Sequence, residues 1–111
     1  MITGGHVMLY STDADADRAF LRDVLELPNI DVGGGWLIFR LPQAEAAVHP
    51  SEGNSHELYL MCDSLDATIA HVRAAGFACS EPFTAAWGRA TGVTLPGGSK
   101  LGIYEPRHAS P

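Results

Sequence analysis

Residues 6–13 read HVMLYSTD, and fifty positions later residues 56–63 read HELYLMCD. In both stretches a histidine opens a run of apolar or alternating residues, and an aspartate follows seven positions on, ahead of a helix-like segment. The ends of the two halves also correspond, Val48-His49-Pro50 in the first and Tyr104-Glu105-Pro106 in the second. A repeat of this length predicts two copies of one supersecondary unit. Units of about fifty residues are marginal alone, so the two are expected to share one core. The chain therefore reads as a single domain over 1–111, with module one at about 5–50 and module two at about 56–106.

Within module one, residues 6–11 alternate as a strand does, with His6, Met8 and Tyr10 on one face. Thr12 and Asp13 offer oxygens to the first free amides of a helix, and Asp15 and Asp17 suit its positive end. Phe20, Val24 and Leu27 make one helical stripe that stops at Pro28. Strands are expected at 30–32, 36–41 and 44–49, separated by Gly33-Gly34-Gly35 and Pro42-Gln43. Residues 50–55, PSEGNS, are turn chemistry and form the joint. Module two repeats the order. A strand at 56–62 leads to a helix capped by Asp63, with the stripe Leu65, Ile69 and Val72 and with Gly76 just past its end. Residues 77–81, a loop or strand around Trp87, and strands at 91–95 and 100–105 complete it. Each half is thus β-α-β-β-β.

Seven basic residues stand against thirteen acidic ones, and there is no basic run, which argues against a nucleic-acid partner. The opening residues lack a basic n-region and a long apolar run, so neither a signal nor a membrane span is expected, and a cytoplasmic location is. Cys62 and Cys79 are too few for a disulfide framework and lack a Cys-x-x-Cys spacing.

The phrases ADRAFLRDVLELP, HELYLMCDSLDA and LPGGSKLGIYEP, in this order and spacing, resemble the vicinal oxygen chelate superfamily, the group of glyoxalases, extradiol dioxygenases and bleomycin-resistance proteins. The resemblance spans about residues 6–106. It implies an α+β fold in which two βαβββ modules form an incomplete eight-stranded barrel with the helices outside. For metal-using members it implies a ligand set of His6, His49, His56 and Glu105, and a dimer is commonly formed. Imidazoles and a carboxylate of this kind accommodate divalent Zn, Ni, Mn, Co or Fe, with water completing an open coordination sphere.

Strand parity places His56 with Leu58 and Leu60, His49 with Ala47, and Glu105 with Leu101 and Ile103. If these faces turn inward with that of His6, the four ligands sit in an apolar cup. Taken singly, each of the four also reads as an ordinary polar residue at a strand end. Glu45 shares parity with His49 and is a rival ligand or a base, whereas Glu57 falls on the face opposite His56. His71 and His108 read as solvated. Tyr10, Trp36, Trp87 and Tyr104 either line a pocket or belong to the core, and Arg40 and Arg89 either hold an anion or are surface charge. No glycine run has the strand and helix context of a nucleotide site.

Two functions follow from this. The first is a metal-dependent lyase or isomerase of the glyoxalase type, or a dioxygenase, acting on a small molecule that chelates the ion through vicinal oxygens. Glu105 or Glu45 would move the proton. No cluster of basic residues stands ready for glutathione or coenzyme A. The second is a metal-free protein of the bleomycin-resistance type that sequesters an aromatic or cationic small molecule, which the acidic charge and the two tryptophans suit.

Overall fold

Module two builds the frame. The structure, a computed structural model, describes residues 6–48, 50–109 and 111. Among these lie helices α1 (Ala14–Asp23) and α2 (Leu65–Ala74). Six strands accompany them: β1 (Asn29–Asp31), β2 (Leu37–Phe39), β3 (Tyr59–Met61), β4 (Phe83–Ala85), β5 (Gly88–Thr94) and β6 (Lys100–Pro106). β3, β6, β5 and β4 form one sheet in that spatial order, and β1 pairs with β2 in a separate hairpin. β5 and β6 are antiparallel, joined at the Pro96-Gly97-Gly98-Ser99 turn, while β3 runs parallel to β6. The parallel pairing is what α2 makes possible, since a parallel neighbour needs a crossover connection.

The ends of both helices follow from local chemistry. Asp13 caps α1 by accepting from the Ala16 amide, and Ser64, one residue beyond the expected Asp63, caps α2 by accepting from Ala67. Gly76 leaves α2 at φ +92°, a conformation that residues with a Cβ resist. α1 stops at Asp23, short of the expected stripe to Leu27, with Val24 as its C-cap.

Period two in the sheet sorts its side chains. Val93, Leu101 and Ile103 are buried with Leu65, Ile69 and Val72 of α2 and Phe20 of α1, and Leu58 and Leu60 pack against that cluster. This is the face the helices cover. The other parity gives Tyr59 opposite Gly102, Met61 opposite Tyr104, Ala90 between Tyr104 and Phe83, and Gly92 opposite Gly102.

Module one departs from the repeat. Residues 6–11 and 44–48, both expected as strands, form none, and Val7, Met8, Tyr10 and Val48 stand exposed. His49, the end of the expected third strand, lies outside the described residues. The physical reason is pairing: an extended segment becomes a strand only where a neighbour takes its amides and carbonyls, and these two find none among the described residues. The barrel is accordingly not closed. No described helix is long and apolar enough to cross a membrane.

Beside the packing of Phe20, a buried polar contact ties module one to the frame. The Asp17 carboxylate is buried on α1 and its Oδ1 accepts from the Gly97 amide at 2.7 Å, while Thr12 Oγ1 donates to the Gly97 carbonyl at 3.2 Å. A Cβ at Gly97 would run into Ser11 Oγ and the Asp17 carboxylate. Gly97→Ala is therefore expected to cost about 1–3 kcal/mol in chemical denaturation, in the manner of an overpacked site.

Candidate functional site

Because β3, β5 and β6 turn their aliphatic residues to the helices, the opposite face is left to aromatic and small ones. Glycines at 92 and 102 leave the backbone bare there, and the Tyr59 ring lies directly on Gly102. Around it the rings of Tyr59, Trp87 and Tyr104 meet edge to face, with centroids 6.0 Å apart for Tyr59 and Trp87, 5.9 Å for Tyr59 and Tyr104, and 5.3 Å for Trp87 and Tyr104. Phe83 extends the row, 6.1 Å from Trp87. His108 closes it by stacking on Tyr104 and hydrogen-bonding its hydroxyl through Nε2 at 3.0 Å. Trp87 reaches this face because the two-residue turn Ala86-Trp87 between β4 and β5 folds over it, and the Trp87 carbonyl accepts from the Arg107 amide.

The rings are only half covered: Tyr59 is 37%, Phe83 47% and Trp87 39% exposed. A cavity of about 460 Å³ opens beside the row, lined by Tyr59 and Phe83 but not by Trp87 or Tyr104, together with Glu57, Lys100, Gly92 and Gly102, and walled by Met8, Leu9 and Tyr10. Its size is that of a small-ligand pocket. Burial pushes the phenols of Tyr59 and Tyr104 up from their ordinary value, and the negative charges of Glu57 and Glu45 respectively add to it. Glu57 also lines the cavity, whereas Glu45 is exposed outside it. Such a surface can stack a planar ring and attract a cation, since both the ring faces and the Glu57 carboxylate are negative.

The residues proposed as metal ligands are placed otherwise. Glu105 shares parity with Leu101 and Ile103, and that parity is the helix face. Its Oε1 accepts from the Leu65 amide at 3.0 Å, the first free amide of α2, beside the Ser64 cap on Ala67. His56 lines the cavity beside the aromatic row. His6 lines a different and larger one, of about 800 Å³, between α1 and residues 36–42. His49 is outside the described residues. Glu45 is exposed and lines neither cavity. Among the described residues no three of His, Cys, Asp and Glu come together to hold a metal ion. His6, His56 and Glu105 thus do not form one group.

Of the four aromatic residues expected to line a pocket or join the core, Trp87 and Tyr104 belong to the row, Tyr10 lines both cavities and Trp36 lines the larger one. Arg89 pairs with Asp66 of α2 at 3.0 Å on the helix side. Tyr59 and Phe83 were not singled out. Their signal was present in the parity that sets Tyr59 and Met61 against Leu58 and Leu60, and in glycines falling opposite a tyrosine. Burial raises the thiols of Cys62 and Cys79 above the ordinary cysteine value, which keeps both poorly reactive.

Neither a family model nor a curated protein matches the sequence. Solved structures do match. TnmS3, an antibiotic binding protein from Streptomyces sp. CB03234, superposes with a TM-score of 0.66 at 22% identity, over 96% of this chain and 99% of that one. Lactoylglutathione lyase from Agrobacterium tumefaciens gives 0.64 at 19% identity, over 92% and 94%. A glyoxalase/bleomycin resistance protein, also from Streptomyces sp. CB03234, gives 0.61 at 22%, over 86% and 93%. The fold is thus shared with these proteins, among them a binding protein and an enzyme.

The role of Glu105 at the α2 terminus is open to test. Glu105→Ala leaves the Leu65 amide without its acceptor and is expected to lower stability by about 1 kcal/mol, the usual worth of a lost cap. Glu105→Gln keeps a carbonyl there and should lose less, the difference reflecting the helix dipole. Thermal melts of the two variants at matched pH check this.

Proposed function

We propose that this protein binds a small, planar aromatic molecule carrying a positive charge, and holds it without transforming it. The observation that carries the reading is the row Tyr59, Trp87 and Tyr104 on the glycine-bare face of the sheet, with the Tyr59 and Trp87 rings partly exposed and Glu57 lining the adjoining cavity. Structurally similar proteins include one that binds an antibiotic, which agrees with such a role. Stacking on the rings would supply affinity, and the Glu57 carboxylate would select charge. At a partly exposed ring a cation contributes about 0.5–1 kcal/mol.

The metal-dependent reading asks His6, His49, His56 and Glu105 to converge on one ion, with Glu45 or Glu105 as base. The described members of that set do not supply such a group, so sequestration is preferred. We further propose that two copies associate. The exposed Val7, Met8, Tyr10 and Val48 and the unpaired segments that carry them support it. Light scattering is expected to give twice the 11.8 kDa of one chain.

Titration with cationic planar dyes such as ethidium and acridine orange, on protein stripped of metal by chelator, tests the function. Quenching of Trp87 fluorescence with saturable binding is expected. Trp87→Ala should weaken it by about 1–3 kcal/mol, the worth of a lost stacking partner. A neutral ring of the same size should bind less tightly. Binding that appears only when a divalent metal is restored would overturn sequestration and return the site to metal chemistry.

A further inference from the structure

The larger cavity is a different place with a different chemistry. It measures about 800 Å³ and lies between α1, residues 36–42 and the wall of residues 6–11 that also bounds the aromatic cavity. Its interior is apolar, with Leu21 of α1, Leu60 of β3 and Leu101 of β6 among its lining. Two of the chain's seven basic residues, Arg18 and Arg40, line it as well, in a protein of net charge −6. The Arg18 guanidinium lies over the Trp36 ring, 4.8 Å from its centroid. Its only ion pair among the described residues is to Asp15 at 3.3 Å, and that carboxylate is 95% exposed. Exposed pairs of this kind are weak, so most of the Arg18 donors are uncommitted. The Arg40 side chain has no hydrogen bond or ion pair among the described residues. Asp17 is the one carboxylate on the lining, and its Oδ1 is turned to the Gly97 amide; Oδ2 is buried without a partner.

We propose that this cavity is a second binding site, selective for a small amphiphilic carboxylate whose apolar body lies among the leucines and whose acid group is held by Arg18 and Arg40. An apolar interior of this volume accommodates a hydrocarbon or aromatic body, and a guanidinium recognises a carboxylate by paired hydrogen bonds that an alcohol or amine cannot make. The Trp36 ring holds the Arg18 plane in place, so the head-group site is partly ordered before the ligand arrives. The smaller cavity is lined by Tyr59, Phe83, Glu57 and Lys100, a different chemistry, so the two sites are expected to take different molecules.

Decanoate, decanol and decylamine, titrated into the full chain carrying Trp87→Phe, test this. Trp36 is then the one tryptophan and reports on the cavity directly. Decanoate is expected to bind saturably and to shift Trp36 emission, with decanol and decylamine at least tenfold weaker. Arg18→Gln with Arg40→Gln should lower decanoate affinity about tenfold while leaving decanol unchanged and the melting curve intact. A cationic dye at the aromatic row should not be displaced. Equal binding of acid and alcohol, insensitivity to the arginine double variant, or no binding by a folded chain would each overturn the proposal.

Discussion

Everything in this molecule hangs on the burial of one side of a four-stranded sheet beneath α2 and Phe20. Val93, Leu101 and Ile103 meet Leu65, Ile69 and Val72 with essentially no exposure, and each fully buried aliphatic side chain stabilises by about 1.5–3 kcal/mol. That packing orients β3, β5 and β6. By period two it also dictates what the opposite face presents. Tyr59, Tyr104, Gly92 and Gly102 are where they are because Leu60, Ile103, Val93 and Leu101 are on the other side.

The same constraint explains the fate of Glu105. A carboxylate in register with Leu101 and Ile103 is carried to the helix side, where the start of α2 offers an unpaired amide and the positive end of a dipole. His6 and His56, symmetric in sequence, meet no such symmetry in space, because residues 6–11 lack the pairing that β3 finds on β6. They open onto different cavities, one lined by Glu57 and Lys100 and the other by Arg18 and Arg40.

Between those cavities runs the segment Met8, Leu9 and Tyr10, which lines both. It is held to the frame at its C-terminal end through Ser11, Thr12 and Asp17 around Gly97, and elsewhere it is exposed. A wall with few buried contacts opens at low free-energy cost. A ligand or a second copy that orders it would change both sites at once.

Much of the architecture was legible in the residues. Both helices and the Gly76 exit are local properties, written in capping oxygens, apolar stripes and a glycine. The pairs Leu58 with Leu60 and Tyr59 with Met61 were equally readable as two faces of one strand. What local pattern could not decide was which face the helices would cover, since both were apolar enough to be buried. Nor could it decide whether residues 6–11 and 44–48 would find partners, because strand pairing depends on distant chain. The sequence by itself determined both helices and the parity of the module-two strands, through interactions that span a few residues. Only the tertiary structure decided which parity became core and which became site, because that choice rests on the packing of α2 and Phe20 against strands far along the chain.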